Sequence, residues 1–149
     1  MANQYVLTPM SIENSIRNVI RRIWTTKENP TLMILEDLQD PGNLGTIVRT
    51  AEGAGVNAVF MSKETVDIYN PKTIRSTMGS VYRIPTIYIE DTVKLLELFK
   101  EKGIKSYAAH LEGKNSYDKE DYCTGTAILF SFLSAHFYGL VFERHRKRT

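Results

Sequence analysis

An α/β fold, with a mostly parallel sheet flanked by helices, is predicted by three observations. Short apolar runs suited to buried strands recur along the chain, segments with helical apolar spacing lie between them, and a Pro-Gly turn marks the first strand-to-helix junction. Leu32-Met33-Ile34-Leu35 reads as the first strand, Asn57 to Met61 as the second, Thr86 to Ile89 as the third and Ile104 to Ala109 as the fourth. Before them, Ser11 caps a helix whose Ile12, Ile16, Val19, Ile20 and Ile23 form one apolar stripe opposite Arg17 and Arg21. The clearest later helix runs from an Asp91 cap through Val93, Leu95, Leu96 and Phe99 to a Gly103 stop.

The most informative stretch is Asp37 to Ala51, between the first strand and a helix whose Leu44, Ile47, Val48 and Ala51 fall at i, i+3, i+4 and i+7. Open α/β sheets place their ligand sites at such junctions. Asn43 is suited to cap this helix, and Arg49 lies off its apolar stripe, so the guanidinium can reach solvent or a ligand while the helix packs on the sheet. The plainer alternative is that Arg49 pairs with Glu52 along the helix and that Asn43 is only a cap.

Asp37, Pro41, Asn43, Gly45, Ile47, Arg49, Thr50 and Ala51 together resemble motif 1 of the SpoU, or TrmH-like, RNA ribose methyltransferases of the SPOUT superfamily. The resemblance continues through Gly53-Ala54-Gly55-Val56 and through Asn70 to Pro85, so that residues 31–130 read as one family domain. A SPOUT-like α/β knot fold is what this implies. It also implies methyl transfer from S-adenosylmethionine to a ribose 2′-hydroxyl of tRNA or rRNA, in a homodimer, with Asn43 and Arg49 in the catalytic site. A ribose hydroxyl is a poor nucleophile, and an always-charged planar fork beside a phosphate suits its positioning.

After Leu129 the chain departs from the family pattern. The family's Gly-Asn-Glu-Gly-x-Gly-Leu loop and Ser-Leu-Asn-Val-x-x-Ala segment, which carry its cofactor site, further catalytic residues and the C-terminal knot, do not occur in the residues that follow. Residues 131–149 instead form an apolar and then basic tail, ending in Arg144-His145-Arg146-Lys147-Arg148-Thr149. The expectation is therefore a truncated or frame-altered family member with an incomplete knot and a weakened or absent donor site, whose cofactor-binding residues are unknown. The competing function is a noncatalytic RNA-binding or dimerising fragment.

Between Asn70 and Ile89, Lys72, Arg75 and Arg83 occur without an acidic residue and are interleaved with Ser76, Thr77, Ser80 and Tyr82. Lys72, Arg75, Ser76 and Arg83 are the candidate RNA-binding residues, because cations and hydroxyls make the backbone contacts by which structured RNA is held. A solvated surface with no ligand, or a dimer interface including Met78 and Gly79, accounts for the same pattern.

Composition sets the remaining bounds. A chain of 149 residues with 42% apolar content suits one domain, here residues 31–130, preceded by an amphipathic extension at 1–30 that is too short for a separate RNA-binding domain. A net charge of +2 makes any RNA affinity a matter of local patches. One cysteine, Cys123, excludes an internal disulfide and suits a cytoplasmic location, as does a start lacking the basic and apolar blocks of an export signal. His110, His136 and His145 lack metal-ligand spacing, and no Gly-Lys-Ser or Gly-Lys-Thr follows Gly45, so neither a metal nor a P-loop is expected. The apolar run from Ala127 to Phe142 is sixteen residues long, short of the twenty or so that a membrane span needs, which makes membrane insertion the weaker reading.

Overall fold

The computed structural model describes residues 9–109 and 115–132. Its element order is α1 (Pro9–Thr26), β1 (Thr31–Glu36), α2 (Pro41–Gly53), β2 (Ala58–Ser62), α3 (Pro71–Thr77), a 3-10 turn (Ser80–Tyr82), β3 (Thr86–Ile89), α4 (Thr92–Glu101), β4 (Lys105–Ala108), a second 3-10 turn (Tyr117–Lys119) and β5 (Thr126–Ser131). The strands form one sheet in the order β3-β2-β1-β5-β4, with every pairing parallel. Leu32 pairs in register with Ala58 on one side and with Ala127 on the other, which puts β1 at the centre.

Both faces of the sheet are covered, which explains why the strands read as continuous apolar runs rather than alternating ones. Leu32 and Ile34 of β1, Phe60 of β2 and Leu129 of β5 pack on one face against Ile20 and Ile23 of α1 and Leu95, Leu96 and Phe99 of α4. Phe60 and Phe99 meet edge to face at 5.4 Å, the arrangement that aromatic quadrupoles favour. On the opposite face Leu35 and Met61 pack against Leu44, Val48 and Ala51 of α2, with Ile68 and Ile84 closing the margins. The period-2 alternation of the strands thus feeds two separate cores, and α2 rests on the second.

Several boundaries differ from the sequence expectations. The first helix begins at Pro9, two residues before the expected Ser11 cap. The segment after Asn70, expected as a phosphate-facing surface with no element assigned to it, contains α3, capped by the Asn70 side chain, which accepts the Lys72 N–H at 2.9 Å. The reason that α3 escapes pattern reading is its length of seven residues and its polar buried positions, Thr73 and Thr77. Of the tail expected at 131–149, Ser131 ends β5; residues 133–149 and the knot expectation lie outside the described residues, as do His110, His136 and His145.

Candidate active site along the second helix

Central strand β1 ends in a pinned corner. Asp37 holds a left-handed backbone (φ 55°), which Asp tolerates better than most side chains. Its N–H donates to Ser62 Oγ at 2.9 Å, while Gln39 Nε2 donates to Asp37 Oδ1 at 2.7 Å and to the Glu64 carbonyl at 2.6 Å. A second anchor lies beyond β2. There the Tyr88 hydroxyl accepts the Ile68 N–H at 2.8 Å and donates to the Val66 carbonyl at 2.7 Å. Burial is the main reason that this phenol is pushed up to about 12.

The chain enters α2 from this corner through Asp40 and Pro41. Asp40 is the N-cap, its carboxylate accepting the Asn43 N–H at 2.7 Å, and Pro41 occupies the first helical position, where no N–H is needed. Asn43, expected as the cap, therefore lies inside the first turn. Its side chain is left exposed, and among the described residues the amide makes no hydrogen bond. The correction has a physical basis, since a proline at the first helical position moves the cap to the residue before it.

Leu44, Gly45, Val48 and Ala51 are buried, whereas Asn43, Thr46, Arg49 and Thr50 face outward. Two of the outward hydroxyls turn back on the helix: Thr46 donates to the Gly42 carbonyl and Thr50 to the Thr46 carbonyl, each at 2.9 Å. Arg49 is exposed and forms no ion pair or hydrogen bond through its guanidinium among the described residues. Asn43 and Arg49 are six residues apart, hence about 9 Å along the helix axis and about 120° around it. They can hold two parts of a nucleotide, and they cannot converge on one atom without an intervening ligand.

Next to α2 runs α3, in close contact. A Cβ built on Gly45 would stand 2.3 Å from Ser76 Cβ and 2.7 Å from the Thr73 carbonyl oxygen, so only glycine permits this approach. Near the start of α2, Lys72 Nζ lies 4.0 Å from Asp40 Oδ2, and the Ser76 hydroxyl donates to the Lys72 carbonyl at 2.8 Å. Arg75 is exposed and has no ion-pair partner among the described residues. The packing thus brings Lys72 and Ser76 to the first half of α2.

Arg83 is placed differently. Its Nε donates to Glu52 Oε1 at 3.1 Å and its terminal nitrogen to Glu52 Oε2 at 3.3 Å, while the buried Ser80 hydroxyl donates to the same Oε2 at 3.0 Å. The Arg83 and Ser80 hydrogen bonds hold the Glu52 carboxyl below its usual 4.5, and the Glu52 carboxylate raises Arg83 in turn. Glu52, the alternative partner weighed for Arg49, is therefore engaged by the 3-10 turn. In the sequence Glu52 stands only as an alternative partner for Arg49 and Ser80 only as a hydroxyl among the cations; no local signal links these two residues, 28 positions apart.

No group of three or more His, Cys, Asp or Glu side chains among the described residues is arranged to hold a metal ion. No described helix is long and apolar enough to cross a membrane. Cys123 is free and exposed in a turn where Asp121 accepts its N–H at 2.9 Å. Asp121 also pairs with Lys105 at 3.8 Å, both side chains exposed.

Solved structures similar to this chain include RNA methyltransferases. An rRNA methyltransferase from Sinorhizobium meliloti, solved with AdoMet bound, superposes with a TM-score of 0.66 at 34% identity, over 72% of this chain and 42% of that one. The SpoU methyltransferase AviRb from Streptomyces viridochromogenes gives 0.67 at 21% identity, which speaks for the fold alone. In sequence, the chain is 36% identical over 88 residues to the 23S rRNA (guanosine(2553)-2′-O)-methyltransferase RlmP of Bacillus subtilis, covering 59% of this chain and 35% of that protein. It is 50% identical over 58 residues to human mitochondrial rRNA methyltransferase 3, covering 39% of this chain and 14% of that protein. The chain thus spans about a third or less of the curated relatives it matches. Residues 30–130 match the model of the SpoU rRNA Methylase family, and the chain belongs to that family.

Proposed function

We propose that this chain acts in S-adenosylmethionine-dependent 2′-O-methylation of tRNA or rRNA ribose, with Asn43 and Arg49 in the catalytic site and Lys72, Arg75 and Ser76 along the RNA path. The observation that carries this reading is the state of α2. Its apolar face is consumed by the core, while Asn43 and Arg49 stand outward without described partners beside the carboxyl end of the central strand. An unpaired guanidinium there suits a phosphate, and its fixed charge favours a nearby hydroxyl losing its proton. Asn43, a turn and a half away, offers an amide that can hold a ribose or base edge. Arg83 has its own place, taken up below. A homodimer, in keeping with the family resemblance, is the proposed state, and the cytoplasm, which a single cysteine suits, is the proposed setting.

S-adenosylmethionine is the cofactor that family membership and the AdoMet-bound relative assign. The described residues, however, do not form a cradle for it. The glycines that approach other groups closely are engaged within the protein, Gly42 beside Asp40 and Lys72, Gly45 against Ser76, Gly79 beside Arg83 and Gly125 against Ile104, while β5 runs out through half-buried Phe130 and Ser131 to exposed Phe132. The one buried hydroxyl without a partner among the described residues, Thr73 Oγ1, belongs to α3, whose close neighbour there is α2. This observation favours a second reading, an RNA-binding or dimerising family member without catalysis.

Two measurements separate the readings. Calorimetric titration of the purified chain with S-adenosylmethionine gives micromolar binding if the chain is an enzyme and no heat if it is a noncatalytic binder. Methyl transfer to bulk tRNA and rRNA is then compared between native protein and Arg49→Ala, with an expected loss of about a hundredfold or more. Undiminished transfer by Arg49→Ala overturns the assignment of Arg49.

A further inference from the structure

We infer that Arg83 serves the RNA-facing surface without touching RNA: by occupying both oxygens of Glu52, it prevents that carboxylate from capturing Arg49 and so keeps Arg49 available to a phosphate. The inference rests on the reading of Arg49 as a ligand-binding cation. It assigns Arg83 a positioning role in place of the direct contact expected from sequence.

Glu52 follows Arg49 by three residues on α2, a spacing at which side chains on a helix surface meet. Without a competitor the two are natural partners. In the structure the carboxylate is drawn the other way, toward the 3-10 turn, where the Arg83 fork reaches it at 3.1 and 3.3 Å and Ser80 adds a donor at 3.0 Å. Ser80 is fully buried, so its hydroxyl is a fixed donor rather than one shared with water. A two-pronged arginine contact reinforced by a third hydrogen bond outcompetes a pair within one helix, which is weaker still when the cation precedes the anion.

The turn is built to let Arg83 reach. Gly79 has φ 88°, and a Cβ added there would lie 3.2 Å from an Arg83 terminal nitrogen, so glycine both makes the corner and leaves space for the guanidinium. The Arg83 and Ser80 main chains are also tied, with the Arg83 N–H donating to the Ser80 carbonyl at 2.9 Å. Removing Arg83 thus leaves an acidic side chain with one remaining donor, Ser80, and a free arginine one helical turn away.

The test uses the full chain and bulk tRNA, with binding measured over a range of salt concentrations. Arg83→Ala is expected to weaken binding about tenfold at low salt and to lower the salt slope by about one, the signature of a lost phosphate contact. Adding Glu52→Gln to Arg83→Ala is expected to restore affinity to within about twofold of native, because Arg49 is released. A double variant that stays as weak as Arg83→Ala overturns the inference and makes Arg83 a direct contact. Arg49→Ala separates the two layers: if it weakens binding while the double variant is not rescued, only the present inference falls, whereas native-like binding by Arg49→Ala removes the reading beneath it as well. A readout without RNA is the solvent exchange of the Arg49 Nε–H by NMR. This signal becomes protected in Arg83→Ala and unprotected again in the double variant, and unchanged exchange in Arg83→Ala refutes the capture.

Discussion

Replacing Gly45 with alanine tests the packing on which the whole site depends. The added Cβ would fall 2.3 Å from Ser76 Cβ, 2.7 Å from the Thr73 carbonyl oxygen and 3.0 Å from the Ser76 carbonyl carbon. Two of these neighbours are main-chain atoms and the third is a Cβ, so no flexible side chain can swing aside. Relief requires α3 to move away from α2 by about an ångström, and forced overpacking of this kind costs about 1–3 kcal/mol. Alanine recovers up to about 1 kcal/mol through its better helix propensity. The net expectation is a loss of about 1–2 kcal/mol, or a fall in Tm of about 3–8 °C for a domain of this size. Circular dichroism melts would measure it. Gly53→Ala is the control, because a Cβ there meets nothing within 4 Å. An unchanged or raised Tm for Gly45→Ala would refute the claim that glycine is required for this helix contact.

The remaining predictions concern the elements that hold α2 and its surroundings. Asp40→Ala removes the N-cap bond to the Asn43 N–H and is expected to lower stability by about 1 kcal/mol, read from denaturant midpoints. Tyr88→Phe leaves the Val66 carbonyl and the Ile68 N–H without their buried partner and should cost about 1–2 kcal/mol. Because the folded state raises this phenol from 10.0 to about 12, its contribution is complete below pH 10 and is lost as pH climbs toward about 12; melts of the phenylalanine variant should lack that part of the alkaline decline. Glu52 has the opposite sign. Its folded value lies below 4.5, so its contribution is present above pH 4.5 and disappears as pH falls below it, and Glu52→Gln should flatten the acid limb of the stability profile.

Some of this architecture is legible in residue order, and some is not, for reasons that differ by element. The strands around Leu32, Phe60 and Ile87 could be read because a sheet buried on both faces demands apolar side chains at consecutive positions. Helix α2 could be read because Leu44, Val48 and Ala51 repeat with its pitch. Residue preference alone puts its cap at Asn43, whereas Pro41 at the first helical position makes Asp40 the cap, a signal that spacing rules contain. By contrast, α3 is too short to display a period, and its buried positions are threonines. The partner of Arg83 was beyond local pattern altogether, since Glu52 stands 31 residues earlier and only the packing of α3 on α2 brings them together.

That packing also explains why the outward-facing groups of α2 come in the order they do. Gly45 and Glu52 are seven residues apart, nearly two full turns, and so project on almost the same side of the helix. One contacts α3 and the other the turn that follows it. Arg49 lies between them along the axis and about 40–60° to the side, at the rim of the same contact. An arginine on the line itself would be driven into α3, where Gly45 shows that not even a methyl group fits. One placed among Leu44, Val48 and Ala51 would bury its charge in the core. The position of Arg49 is thus one that keeps the guanidinium anchored to a rigid element, solvated, and one turn from a carboxylate already satisfied by Arg83. A cation so held meets an incoming phosphate with little loss of internal pairing, which is the physical condition that the proposed RNA chemistry needs.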